Sequence, residues 1–340
     1  MRMLTALLLP LVAAAATPSS WLQVASLGDL KLESGETIRD CRIGYRTMGT
    51  LNAAKSNAVL FPTWFSGSSE DLIQFMSADG MVDPARYFGI AVDALGDGVS
   101  SSPSNSSQQP RMRFPKFSVR DMVNAEYKLV HDVIGIPHLR AVMGISMGGM
   151  QTFQWVVAYP DFMDKAVPIV GSPRLTSIDL LLWNAEADAI TESVGWNGGN
   201  YEHAPPMRAV GEMHAFALTT PTYRARETPP GQFPQFRKDI DEKPLGRMDA
   251  NDWLRQLQAM ISLDVSKPYG ESMARAAHAV KAKMLVVSAV QDHMVNPGPA
   301  LEFAKEIDAP AIRLESDCGH LSPSCESKTL YPRVRAFLDQ

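Results

Sequence analysis

The sequence has little of what marks metal proteins, nucleic-acid-binding proteins and membrane proteins. Among 340 residues there are three cysteines, with no Cys-x-x-Cys pair and no cluster of histidines, so we expect neither a metal nor another cofactor. The 37 acidic side chains outnumber the 32 lysines and arginines, and the net charge of −5 excludes the basic surface that nucleic-acid binding requires. The hydrophobic fraction of 45% is enough to build a full core.

The apolar run at residues 4–16 is too short to cross a bilayer as a stable anchor. It follows the positive start Met1-Arg2-Met3 and leads into small residues before Thr17, which is the pattern of a secretory signal peptide. We therefore predict a signal peptide over residues 1–17 and a mature protein that is periplasmic or secreted. A buried N-terminal helix or a retained anchor is the alternative.

What the chain does contain is the motif Gly144-Ile-Ser146-Met-Gly148, between an apolar run at 139–143 and a helical pattern that stops at Tyr159-Pro160. A serine on a sharp strand-to-helix turn needs glycine two residues away on each side, because strand and helix approach closely there. The helix N-terminus can also stabilise a negative charge that forms at the serine. The motif therefore predicts that Ser146 is a nucleophile.

Two later apolar runs, at 283–289 and 311–314, are each followed by a loop that carries a candidate partner for the serine. Asp292 follows the first run and His320 follows the second. In a parallel sheet, the loops at the carboxyl ends of the strands meet at one edge. We therefore expect both side chains to lie near Ser146.

The chain order serine, carboxylate, histidine is that of the α/β-hydrolases. His320 would then act as the general base for Ser146, and Asp292 would hold the imidazole in the correct tautomer. His293 and Asp317 are the neighbouring alternatives for the same two roles. In this reading the catalytic residues are Ser146, Asp292 and His320.

An oxyanion hole needs two N–H donors, one after the nucleophile and one in the loop after an earlier strand. The backbone N–H of Met147 is the first donor. Residues 57–61 form a strand-like run, and the loop that follows places Phe65 as the second donor, with Trp64 as the alternative. Both aromatic side chains could instead serve only to pack the core.

The arrangement of apolar runs predicts an α/β fold with a mostly parallel central sheet flanked by helices, and the serine motif with its chain order makes this an α/β-hydrolase fold. We expect core segments at 18–174 and 282–340. The intervening residues 175–281 lose the strand–helix alternation and form a helical lid. Residues 22–61 hold four short strand-like runs, which suggests an antiparallel start to the sheet. Lid side chains that could line a pocket are Trp183, Trp196, Met207, Met213, His214 and Phe216.

The sequence resembles the homoserine O-acetyltransferase family of α/β-hydrolases over most of residues 30–340. The segments that carry the resemblance are Phe114-Pro115, Asp121-Met-Val123, Gly144-Ile-Ser146-Met-Gly-Gly-Met-Gln151, Tyr159-Pro160-Asp161, Asp83-Pro84 and Leu95-Gly96. The resemblance implies acyl transfer through an acyl-enzyme. It also implies a homodimer, since relatives often pair through the lid.

The chain departs from that family where the family binds homoserine. The acetyltransferases carry an Ala-Arg pair in the lid for the substrate carboxylate, and our alignment places Gly211-Glu212 there, with Arg208 close enough to substitute. They also follow the catalytic histidine with an aspartate for the substrate amine, whereas Leu321 follows His320 here. Losing both charged partners disfavours homoserine. The expected substrate pocket includes Trp64, Arg208 and Leu321.

Cys318 and Cys325 flank the candidate histidine, so a disulfide could brace its loop in an oxidising compartment. Connectivity cannot be derived from sequence, and three free thiols are the alternative. Cys41 would remain unpaired in either case.

These features predict a serine hydrolase, a carboxylesterase that cleaves small-acyl esters through a Ser-His-Asp triad. The alternative is an O-acyltransferase that uses the same acyl-enzyme, because a triad alone does not decide whether water or an alcohol accepts the acyl group. A binding protein on an inactive hydrolase scaffold is disfavoured by the complete triad. The expected partner is a small-molecule ester.

Overall fold

The computed structural model describes residues 21–242 and 248–340, so the predicted signal peptide lies outside the described residues. The described strands form one sheet in the order β1-β2-β4-β3-β5-β6-β8-β9, with the short β7 also paired to β6. The strands are β1 (Gln23–Lys31), β2 (Thr37–Met48), β3 (Ala58–Pro62), β4 (Phe88–Val92), β5 (Leu139–Ile145), β6 (Met163–Ile169), β7 (Lys283–Met284), β8 (Val286–Ala289) and β9 (Ala311–Leu314).

The first strands of the sheet are antiparallel, whereas the pairs from β4 onward are parallel. Residues 22–61 form three strands rather than the expected four, because Gly28 does not end β1. It adopts a positive φ of 66° at a shift in the β1–β2 register, so the strand bends there and continues. The run at 283–289 is divided at Leu285 into β7 and β8.

The alternation of side chains along β3 divides the core into two layers. Ala58 and Leu60 pack in the larger apolar cluster, on one face of the sheet, and Val59 and Phe61 pack in the second cluster with the C-terminal helix. All four are fully buried. The loops after these strands therefore start from a sheet that is covered on both faces.

Twelve helices are described. They are α1 (Ser69–Leu72), α2 (Val119–Lys128), α3 (Met147–Ala158), α4 (Ser177–Thr191), α5 (Arg208–Leu218), α6 (Pro221–Glu227), α7 (Phe233–Glu242), α8 (Ala250–Ile261), α9 (Met273–His278), α10 (Gly298–Glu306), α11 (Ser322–Cys325) and α12 (Ser327–Asp339). None of the helices in the described ranges is long and apolar enough to cross a membrane.

Six of these helices, α4 to α9, lie between β6 and β7 in the segment predicted as the lid. Helix α4 packs against both α8 and α5, and α5 packs against α7. A capping box opens α4, in which the Asp179 carboxylate accepts from the backbone N–H of Thr176 at 2.7 Å. The same carboxylate accepts from the N–H of Asn296 at 2.8 Å, so the lid is joined to the core at its first turn.

Candidate active site

Ser146 lies at the turn between β5 and α3 in a strained backbone conformation, with φ 58° and ψ −121°. The neighbouring glycines explain why the turn can be so tight. A Cβ atom on Gly144 would lie 2.2 Å from the carbonyl oxygen of Gly148, and one on Gly148 would lie 2.5 Å from that of Pro62. The sequence Gly-x-Ser-x-Gly is thus required by backbone contacts, and the turn exposes the serine side chain.

The three side chains expected from strand ends form one hydrogen-bonded chain. The Nε2 atom of His320 lies 2.8 Å from the Ser146 Oγ, and its Nδ1 lies 2.7 Å from Asp292 Oδ2. The other oxygen of Asp292 accepts from the backbone N–H groups of Met294 and Val295 at 2.9 and 3.0 Å. These bonds fix the carboxylate, and the carboxylate in turn fixes the imidazole ring.

The neighbouring alternatives do not enter this chain of bonds. Asp317 pairs with the guanidinium of Arg226, which lowers the pKa of the carboxyl, and His293 is exposed. The turn after β8 therefore directs the first of its two adjacent polar side chains, Asp292, toward the histidine.

Two backbone N–H groups are left for an oxyanion. Neither the Met147 N–H, at the start of α3, nor the Phe65 N–H has an acceptor in the described part of the chain. The loop that carries Phe65 is held against α3, because Gln151 donates to the carbonyl of Thr63 at 3.0 Å. Trp64, the alternative donor, lies in the same loop and also lines the cavity beside the serine.

The sequence of residues 58–323 matches the family model described as the alpha/beta hydrolase fold. The chain belongs to the α/β hydrolase family. An ethyl acetate hydrolase of Pseudomonas veronii is 32% identical to it over 310 residues, which cover 88% of this chain and 89% of that protein. A homoserine O-acetyltransferase of Methanococcoides burtonii is 30% identical over 354 residues, which cover 92% and 72% respectively.

Solved structures agree with this assignment. The crystal structure of an acetylester hydrolase from Corynebacterium glutamicum superposes with a TM-score of 0.87 at 29% identity, covering 94% of this chain and 96% of that chain. The predicted fold and the predicted family resemblance are therefore confirmed. This α/β hydrolase has both esterases and homoserine O-acetyltransferases among its relatives.

A cavity of about 340 Å³ opens beside Ser146 in this α/β hydrolase. Its walls come from the loop after β3, from the lid and from the histidine loop. The lining residues are Trp64, Phe65, Ser66, Asp71, Phe75, Ile145, Ser146, Trp183, His214, Leu218, Met294, His320, Leu321, Pro323 and Ser324. Among the described residues, no arginine or lysine occurs in this lining, and the only acidic side chain there is that of Asp71.

The structure separates the expected pocket residues into two groups. Trp64 and Leu321 line the cavity, as do Trp183 and His214 of the lid. The prediction for Arg208 is corrected: its guanidinium binds Asp241 of α7 with contacts of 2.6 and 3.0 Å, and it lies outside the cavity. The other expected lid residues, Trp196, Met207, Met213 and Phe216, also lie outside it.

Glu212, aligned with the arginine of the acetyltransferases, faces away from the cavity as well. It lines a groove on the outer side of the lid and pairs with Arg237. Because α5 is helical, residues 208 and 212 share one face of it, and that face packs toward α7. Their charges therefore have no direct contact with a substrate at Ser146.

Cys318 and Cys325 form a disulfide, and Cys41 is a buried free thiol. The disulfide closes a short loop that contains both His320 and Leu321. Within this loop the hydroxyl of Ser322 donates to the carbonyl of Gly319 at 2.7 Å. The loop that presents the imidazole is thus held both covalently and by hydrogen bonds.

Sequence reasoning missed two buried polar residues of the lid, Glu186 and Gln256. Gln256 accepts from the N–H of Ser66 and donates to the carbonyl of Leu95, each at 3.1 Å, so it supports the loop beside Phe65. Glu186 binds His214 and Trp253. A polar residue on the apolar face of a lid helix is the only sequence signal for either one.

Proposed function

We propose that this chain is a serine carboxylesterase that hydrolyses small-acyl esters. The observation that carries the proposal is the hydrogen-bonded chain Ser146–His320–Asp292 beside an apolar cavity. The small volume of the cavity favours short acyl and alcohol groups. Relatives named as an ethyl acetate hydrolase and an acetylester hydrolase support the same reaction class.

In the first half of the proposed reaction, the Ser146 Oγ attacks the ester carbonyl and its proton passes to His320 Nε2. The N–H groups of Met147 and Phe65 stabilise the oxyanion. Collapse of the tetrahedral intermediate breaks the bond to the alcohol, which leaves with the proton from His320. An acyl group then remains on Ser146.

In the second half, water attacks the acyl-enzyme and gives a proton to His320. A second tetrahedral intermediate collapses, the carboxylic acid leaves, and Ser146 regains its proton. Asp292 stabilises the imidazolium that forms twice in the cycle.

Acyl transfer to an alcohol is the second candidate, because a homoserine O-acetyltransferase is 30% identical to this chain. The cavity argues against homoserine as acceptor. An amino acid needs a cation for its carboxylate, and the part of the chain that the structure describes contributes neither arginine nor lysine to the lining. Leu321, beside the histidine, offers no charge for the amine.

We further propose that the enzyme acts in the periplasm or outside the cell. The disulfide Cys318–Cys325 supports this location, because such bonds persist in oxidising compartments and are rare in the cytosol. An exported enzyme meets water rather than acetyl-CoA, which again favours hydrolysis over transfer.

The test is acyl release from short p-nitrophenyl esters, with and without acetyl-CoA plus homoserine, beside a Ser146→Ala control. We expect hydrolysis that the control lacks and that the added pair leaves unchanged. Formation of O-acetylhomoserine at the expense of hydrolysis would establish the transferase instead. Equal rates for the wild type and the control would exclude both candidates.

A further inference from the structure

A second histidine–carboxylate pair lies in the wall of the cavity. His214 on α5 places its Nδ1 atom 3.2 Å from Glu186 Oε1 on α4. The Glu186 side chain is fully buried, and its other oxygen accepts from the indole N–H of Trp253 at 3.1 Å. Both carboxylate oxygens therefore have a partner.

The His214 ring is held on several sides. It stacks on Phe65 with a centroid distance of 5.5 Å and an interplanar angle of 29°, and it meets the ring of Trp253 edge-on at 5.5 Å. Phe65 itself packs edge-on against Trp253 at 4.8 Å. The imidazole is thereby fixed next to the loop whose N–H is our second oxyanion donor.

This arrangement determines which ring nitrogen can meet a substrate. A carboxylate accepts hydrogen bonds, so Glu186 favours the tautomer with hydrogen on Nδ1 and leaves a lone pair on Nε2. Nε2 has no hydrogen-bond partner anywhere in the described ranges, and His214 lines the cavity. An acceptor in a mostly apolar cavity favours a ligand that donates to it.

The carboxylate of Asp71 is another candidate acceptor in the cavity lining, and part of it is already engaged. Its Oδ2 atom accepts from the N–H and the hydroxyl of Ser68 at 2.8 and 2.9 Å, which caps α1. His214, by contrast, has an unengaged acceptor on a ring that its neighbours hold in place. It is the better-defined acceptor of the two.

We propose that His214 accepts a hydrogen bond through Nε2 from a hydroxyl group of the ester substrate, and that the enzyme thereby favours short hydroxy-esters over esters without the hydroxyl. Glu186 acts through His214 as a positioning residue. This inference rests on the proposed esterase function. The hydroxyl can belong to the alcohol or to the acyl part, and the two cases are separated by choice of substrate.

The experiment measures kcat/KM for ethyl acetate, 2-hydroxyethyl acetate and ethyl glycolate, each divided by its rate of alkaline hydrolysis. The variants are His214→Phe, which keeps a ring to stack on Phe65, and His214→Gln, which retains an amide oxygen as acceptor. A third variant combines His214→Phe with Glu186→Gln, so that no buried carboxylate loses its partner while the Trp253 bond remains.

In the wild type, we expect one of the two hydroxy-esters to be preferred over ethyl acetate. His214→Phe and the double variant should reduce that preference by roughly 3- to 10-fold, the usual effect of one neutral hydrogen bond. His214→Gln should retain most of it. The hydroxy-ester affected identifies the side of the ester that His214 contacts.

A purely structural role would lower kcat/KM for all three esters in parallel, and an unchanged ratio would overturn the inference. A wild-type enzyme that prefers ethyl acetate to both hydroxy-esters would also overturn the inference. That result does not depend on whether the variants fold. These results differ from failure of the proposed function, in which the wild type hydrolyses none of the three esters faster than the Ser146→Ala protein.

Discussion

His320 and His214 line the same cavity, and each holds Nδ1 against a buried carboxylate. The Asp292–His320 pair lies on loops of the core, and its Nε2 reaches the Ser146 hydroxyl at 2.8 Å. The Glu186–His214 pair lies on lid helices, and its Nε2 meets no protein group in the described residues. The comparison teaches that a carboxylate at Nδ1 orients an imidazole in both places, and that the group at the other nitrogen decides which chemistry the ring can perform.

The largest effect should come from replacing each histidine by asparagine. We expect His320→Asn to lower kcat for ethyl acetate by about 10⁴- to 10⁶-fold, because the proton of Ser146 loses its acceptor. His214→Asn should lower it by less than about 10-fold. Steady-state assays with thermal melts as folding controls test this. Losses of similar size would mean that both histidines act on the reacting atoms.

The next test of the comparison between the two histidine–carboxylate pairs replaces each carboxylate by the corresponding amide. Asp292→Asn offers an amide N–H to His320 Nδ1 and favours the tautomer that cannot accept the Ser146 proton, so we expect kcat to fall by about 10⁴-fold. Glu186→Gln should change kcat for ethyl acetate far less. A comparable fall in both variants would contradict the assignment of catalysis to the core pair alone.

Glu126 extends the comparison to a buried carboxyl whose partner is an indole and not a histidine. Its carboxylate accepts from the Trp155 indole at 2.6 Å, and burial raises its pKa from 4.5 to about 8. Because the folded pKa lies above the unfolded one, the free energy of unfolding should fall as pH rises from 4.5 to 8, by at most about 5 kcal/mol.

Glutamine does not titrate, so the free energy of unfolding of Glu126→Gln lacks this pH-dependent fall. Relative to the wild type, the variant should therefore become more stable as the pH rises. Urea unfolding at pH 5 and pH 8 measures the difference. A gap between the two proteins that stays constant with pH would show that Glu126 is ionised in the fold at both values.

The smallest expected effect concerns the loop that presents His320. Replacing Cys325 by serine removes the Cys318–Cys325 disulfide, and the chain-entropy value for so short a loop is about 2 kcal/mol. We expect Tm to fall by several degrees, with kcat lowered only modestly because the Ser322 hydrogen bond remains. A matched Cys41→Ser variant keeps the disulfide, so a reducing agent should lower its Tm by the same amount as it lowers that of the wild type. Unchanged melting after reduction of the wild type would contradict this role.

The core half of the site was predictable because a local sequence signal marks each of its residues, although their hydrogen bonds join distant parts of the chain. Ser146, Asp292 and His320 each follow a strand, and parallel strands bring their carboxyl ends to one edge regardless of what lies between them. The glycines that the tight turn at Ser146 requires are likewise visible within five residues of sequence. The same local reasoning failed at Gly28, where the register shift depends on the paired strand β2 rather than on β1 itself.

The lid half was not predictable in this way. The bond between Glu186 and His214 joins two lid helices, and that between Gln256 and Ser66 joins a lid helix to a loop of the core, so no strand end marks Glu186, His214 or Gln256 in the sequence. Such pairs depend on how helices pack, which one sequence does not determine. Arg208 illustrates the error: it was placed by proximity in sequence to the aligned acetyltransferase arginine, but the helix turns it toward Asp241.

Gln256 has a mechanical consequence. One amide side chain on α8 bonds both to Ser66, next to the proposed oxyanion donor, and to Leu95 in a core loop. If α8 moved away from the core, both bonds would break, whereas the side-chain bond from Gln151 to Thr63 would still hold the loop. The position of this helix and that of the proposed oxyanion donor are therefore coupled, and we expect a conformation that opens the protein by moving α8 to disturb the loop that carries Phe65.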